Sequence, residues 1–167
     1  MWRSFSKRMT VAAAVASAAA LAVSADAAVA APFHAEFPAG EACPFGLAVD
    51  GVGGDQRVHT FVDANGNTVR TLSAGRGFQL TFTNLASNST LALPANGAVT
   101  NTVFNADGSQ TVTLTGHNVL ILFPSDVPAG PSTTLYVGRV VFTVDVNGVF
   151  TLVSTSGTAT DICAALS

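Results

Sequence analysis

Cys43 and Cys163 are the only cysteines in the 167 residues. An even cysteine count behind an export signal predicts a bridge between them. It would close a loop of about 120 residues, for which chain entropy gives roughly 4–5 kcal/mol. A free thiol pair or a link between molecules are the alternatives. A metal site is a poor reading, because neither cysteine has a His or Cys beside it at finger spacing. Only His34, His59 and His117 could serve as a neutral-pH base. No G-x-S-x-G elbow or S-x-x-K motif stands ready to be activated by them. His117 and Asp126 flank the apolar run 119–123, and as an extended strand that run would hold them roughly 20–30 Å apart. His34-Ala35-Glu36 pairs two metal-ligand types, but in a segment with no predicted scaffold. Asp63-Ala64-Asn65-Gly66-Asn67 alternates oxygen ligands as calcium loops do, yet lacks the closing glutamate, and Asn-Gly explains itself as a turn. Asp50 and Asp55 bracket the glycines of "DGVGGD", which lack the dinucleotide fingerprint and a following helix. No catalytic residue, cofactor or metal is expected.

The segment before residue 31 accounts for where such a chain would work. Arg3, Lys7 and Arg8 precede "TVAAAVASAAALAVSA", and Ala28-Val29-Ala30 follows as a small-residue cleavage motif. Basic start, apolar middle and A-x-A end read as a secretory signal over residues 1–30. Ala25-Asp26-Ala27 is a second possible end. The apolar run of about 16 residues, mostly alanine, is shorter than the roughly 20 needed to span a bilayer. No stable membrane anchor is therefore expected after cleavage. Lys7-Arg8 is not a twin arginine, which favours the general export route. Residues 31–167 would carry four arginines, no lysine and nine acids. That balance argues against nucleic acid, whose phosphates need a dense basic surface. It offers nothing to anionic lipid either.

Short alternating runs separated by Gly, Asn, Asp and Pro predict an all-β chain. We expect an antiparallel β-sandwich of about nine or ten short strands, with a barrel as the alternative. Residues 31–42, with two prolines, read as an irregular arm, and 43–167 as a single β domain. Asn147-Gly148 predicts a two-residue hairpin loop, setting Val144 against Thr151 and Phe142 against Val153. Phe142, Val144, Val146 and Val153 would then face the core, with Asp145 and Ser154 on the other side. Around Asn65-Gly66 the register is open: a two-residue loop sets Phe61 against Arg70, and a bulged three-residue loop sets it against Val69. Asp107-Gly108 marks a third hairpin. In "FQLTFTN", Phe78, Leu80 and Phe82 point inward. "VLILF", apolar throughout and ended by Pro124, predicts a strand buried on both faces. "TTLYV" reads as a separate strand beyond a proline-rich loop from Ser125 to Ser132. The glycines at 51–54 offer a corner for chain crossing.

Thr100-x-Thr102 and Thr111-x-Thr113-x-Thr115 would form hydroxyl ladders on one sheet, usual for a solvated strand face. With no Trp after residue 2 and Tyr136 as the only tyrosine, an aromatic sugar platform is not expected. The stretches "TLSAGRG", "GHNVLILFPSDVPAGPSTTLYVGRVVFTVD" and "DICAALS" resemble small secreted proteins of high-GC Gram-positive bacteria, a group without an assigned activity. The resemblance implies export and a compact β fold and carries over no catalytic residue. The expectation is a secreted, non-enzymatic β module, structural or binding, acting at the cell wall or outside the cell. Its partner would be an extracellular protein or a cell-wall component. The alternative is an inhibitor of an extracellular hydrolase acting through the Ser125–Ser132 loop, since a preordered loop binds a cleft at low entropic cost.

Overall fold

The structure is a computed structural model that describes residues 31–167; the export segment expected over 1–30 lies outside the described residues. Ten strands and one short helix follow in order: β1 (Phe33–Phe37), β2 (Leu47–Val52), β3 (Asp55–Val62), β4 (Thr68–Arg76), β5 (Gln79–Asn84), β6 (Thr90–Leu93), β7 (Gly97–Phe104), β8 (Gln110–Leu122), β9 (Ser132–Val144), β10 (Phe150–Asp161) and α1 (Ile162–Ala165). They form two antiparallel sheets rather than a closed barrel, one ordered β1-β2-β5-β6 and the other β10-β9-β8-β7-β4-β3. The chain crosses between the sheets at Gly53 and Gly54, both at positive φ, as the glycine run predicted.

The expected arm is partly wrong. Residues 33–37 alternate Phe, Ala and Phe inward with His and Glu outward, and they pair in register with β2 as an edge strand. Ala35 and Phe37 enter a core with Leu47, Val49 and Phe82, capped by Ile162 and Leu166. Cys43 and Cys163 are bridged there, with a Cα separation of 5.6 Å across 120 positions. The bridge thus ties the segment after β1 to α1, whose N-terminal amide of Ala164 donates to the Asp161 carboxylate.

Long strands replace several predicted short ones. "TVTLT" and "VLILF" are one strand, β8, and "TTLYV" and "RVVFTV" are one strand, β9. The glycines that seemed to separate them lie in a single row across the sheet: Gly157 pairs with Gly138, Gly138 with Gly116, Gly116 with Ala98, and Ala98 with Gly75. All four glycines hold positive φ, a region closed to most side chains. A Cβ at Gly138 would run into the carbonyl oxygen of Ser156. The row is a crease. Beyond it, the lower ends of β8 and β9 turn over so that Leu120 and Leu122 pack against Val112, Leu114, Val140 and Phe142 of the same sheet. The opposite side of these lower ends, Val119, Ile121 and Leu135, packs on the four-stranded sheet. "VLILF" is therefore covered on both faces because it is the middle layer.

The loop after β8 fastens the turned-over limb. Asp126 is 4% exposed. Its carboxylate accepts from the N–H of Phe123 (2.7 Å) and from the N–H of Phe150 at the start of β10 (3.1 Å). Val127 donates its N–H to the Phe150 carbonyl (2.8 Å) and accepts from the N–H of Leu152 (2.7 Å).

The three predicted hairpin turns use one device. Asp63, Asn105 and Asp145 each begin a three-residue loop closed by Asn67, Ser109 and Val149, with Gly66, Gly108 and Gly148 at positive φ. Asp145 explains the missed register around Asn147-Gly148: its carboxylate accepts from the N–H groups of Asn147 and Val149, both at 2.8 Å. That lengthens the expected loop by one residue. Phe142 then pairs with Leu152 and Val144 with Phe150. Phe142 is buried as expected, whereas Val153 and Val146 are exposed, at 59% and 69%. Around Gly66 both alternatives hold in part. The loop has three residues, and an irregularity beside Val62 restores the pairing of Phe61 with Arg70.

Candidate functional site

The residues first considered for chemistry are dispersed. His34 sits on the outer face of β1, where its Nδ1 meets Asp50 Oδ1 (2.7 Å) and its Nε2 meets Glu36 Oε1 (3.3 Å). Hydrogen bonds first to Asp50 and then to Glu36 raise its pKa above the ordinary histidine value, so the pair of carboxylates favours the charged ring. Segment 33–37 thus has the scaffold that the sequence reading denied it. His59 and His117 are exposed strand residues. Asp63 accepts from the N–H groups of Asn65 (2.8 Å) and Asn67 (2.9 Å); its oxygens hold a turn. The Asn67 side chain and backbone lower its pKa. Asp55 belongs to a cavity of about 340 Å³ with Val52, Gly53, Gly54, Arg76 and Gln79. A second, of about 260 Å³, lies beside α1 against Asp161, Cys163 and Ser167.

The Ser125–Ser132 loop has cis bonds before Pro128 and Pro131. Its exposed centre, Val127, already spends its backbone N–H and C=O on β10. A hydrolase cleft that pairs with an inhibitor's extended backbone would find those groups taken.

The threonine ladders lie on the six-stranded sheet, as expected, but on opposite faces, since Thr100 pairs with Leu114 and Asn101 with Thr113. One face carries the apolar positions Val112, Leu114, Val140 and Phe142, and beyond β7 turns to Thr100, Thr102, Ser73 and Thr71 at the same parity. The opposite face, above the crease, is exposed or half-buried at most positions, with Val141 buried within it. Its rows read Arg57–Ala74–Val99–Thr115–Arg139–Ser156, His59–Leu72–Asn101–Thr113–Val141–Ser154 and Phe61–Arg70–Val103–Thr111–Thr143–Thr151.

Arg57, Arg70 and Arg139 fall at the parity of this outer face and are exposed; Arg76, the fourth arginine of the described residues, lies beyond the crease, where its Nε donates to the Ala95 carbonyl (3.4 Å). None has a carboxylate within ion-pair distance among the described residues; both ion pairs found there belong to His34. Arg70 lies over the Phe61 ring, 4.5 Å from its centroid, and His59 meets the same ring edge-on at 4.6 Å. Arg57 and Arg139 share a row four strands apart, roughly 19 Å at the usual strand spacing. Of the nine acids, only Asp55 sits on a strand of this face beside them. Asp63, Asp107 and Asp145 stand instead at the hairpin tips along one end of the sheet. Residues 57 and 139 meet in one row only once every intervening register is known.

Fold and surface together define an open two-sheet β-sandwich with a basic, hydroxyl-rich sheet face. Comparison of the chain with protein-family models, with curated proteins and with solved structures finds no match.

Proposed function

We propose that the chain is an exported, non-enzymatic binding module that works at the cell wall or outside the cell, and that its working surface is the outer face of the six-stranded sheet. The observation that carries this reading is the segregation of Arg57, Arg70 and Arg139 on one face without carboxylate partners. Unpaired guanidinium groups present all their donors to a ligand. A spread of roughly 19 Å suits repeated charges on an extended polymer better than one compact anion. Thr111, Thr113, Thr115 and Ser156 add hydroxyl donors and acceptors suited to a glycan backbone. The partner is an anionic polysaccharide of the wall or surroundings. The dispersal of His34, His59 and His117 supports the non-enzymatic part, since a general base must reach its proton donor directly or through one water.

Co-sedimentation with cell-wall material, and titration with polygalacturonate against neutral dextran, test it. Binding should favour the charged polymer and weaken with added salt. The combined variant Arg57→Ala/Arg70→Ala/Arg139→Ala should lose most of it. Wall binding unchanged in that variant would overturn the reading.

A further inference from the structure

The two sheets end in four edge strands, and three of them are blunted. An open edge is a template for pairing with another chain, and folded proteins shorten it, charge it or cover it. β1 has five residues, including His34 and Glu36. β6 has four and runs into Pro94. β3 carries Asp55, Arg57 and His59. β10 is different. It runs for twelve residues with no charged side chain before Asp161. The loop at Val127 covers only its start, at Phe150 to Leu152. From Val153 to Asp161 every residue is exposed.

We propose that the β10 edge is an interface between two copies of this chain, paired antiparallel about a two-fold axis at Gly157. The crease selects the partner. β10 bends at Gly157, where φ is +95° and a Cβ would meet the carbonyl oxygen of Val137. A strand added outside β10 must bend at the same level. In an antiparallel second copy, Gly157 meets that requirement only when it faces Gly157. The edge strand β3 does not meet it, because its residue at crease level, opposite Gly75, is Gln56. The register follows: Ser156 faces Thr158 of the second copy, Thr155 faces Ala159 and Ser154 faces Thr160. Cross-strand Ser and Thr pairs of this kind are favourable, and the exposed Val153 comes under cover at each end. A two-fold axis through the crease sets the upper half of each β10 beside the lower half of the other, joining the two six-stranded sheets edge to edge. The proposal does not rest on the polysaccharide reading.

Sedimentation velocity on the purified, disulfide-intact chain over a concentration series is the test. A monomer–dimer equilibrium is expected. Thr158→Arg brings two like charges together near the axis, and should raise the dissociation constant roughly tenfold or more while leaving the circular dichroism spectrum unchanged. Mild oxidation of Ser154→Cys/Thr160→Cys should give a covalent dimer, and either cysteine alone should not. A monomer at every soluble concentration would overturn the proposal. So would a dimer indifferent to Thr158→Arg, or one that the paired cysteines fail to cross-link.

Discussion

The two halves of the six-stranded sheet are built from the same ladder and live in different surroundings. In β8 and β9 both faces are packed, one by the turned-over limb and the other, below the crease, by the four-stranded sheet. In β3 nearly every residue is exposed, and β4 is at best half-buried. The change can be followed along one row: Leu152, Phe142 and Val112 on the packed side continue as Thr102, Thr71 and Thr60 on the open side. Hydrogen-bonded pairing alone extends the sheet into solvent, while burial decides where it is hard to damage. A net ladder bond contributes about 1 kcal/mol, whereas burying a large apolar side chain contributes about 1.5–3 kcal/mol.

The largest effect should come from the packed half. Phe142, 4% exposed and stacked on Phe150, should cost roughly 3–5 kcal/mol as Phe142→Ala, measured by denaturant unfolding. A loss under about 1 kcal/mol would break the comparison at its stronger end. A smaller effect should follow acidification. Hydrogen bonds from Asn67, Ser109 and Val149 hold the carboxyls of Asp63, Asp107 and Asp145 below the ordinary aspartate range. Their contribution is therefore present above the unfolded value, near pH 4, and is lost as pH falls through the lowered folded values. The amide of Gly66, at the tip of the open half, should gain hydrogen exchange at higher pH than that of Gly148, beside the packed half. Equal onset would show that the halves share one stability. The smallest effect belongs to the open half: Val58, 65% exposed, should change stability by no more than about 0.5 kcal/mol as Val58→Ala.

Much of this was legible in the chain, and the errors have identifiable causes. Alternation placed Phe82, Leu80 and Phe142 inward, and the unbroken apolar run at 119–123 gave a strand covered on both sides. The prolines at 32 and 38 hid the alternation of Phe33, Ala35 and Phe37, although both lie outside the strand. Glycine was read as punctuation. At positions 116 and 138 it bends strands without ending them, a distinction that depends on neighbours in other strands. The Asn-Gly and Asp-Gly pairs gave the hairpins but not the loop lengths; at Gly66 and Gly148 the carboxylates of Asp63 and Asp145 hold the longer loop. The outer face was the least visible feature. Its arginines, Arg57, Arg70 and Arg139, are dispersed over 83 positions of sequence, and only the cross-strand registers bring them to one side.

The bridge near both ends of the domain has a mechanical meaning. Tension applied on either side of the bridge passes from Cys43 to Cys163 along a covalent path, so strands β2–β10 between them carry almost none of it, while β1, outside the link, is exposed to the pull. Of the described residues, only 31–42 and 164–167 lie outside the link, roughly 55 Å at full extension. Without the link, the sheets would bear the load and the same pull could draw out on the order of 400 Å more. A domain pulled from both sides would thus stretch a little and then stop, with its six-stranded sheet still folded.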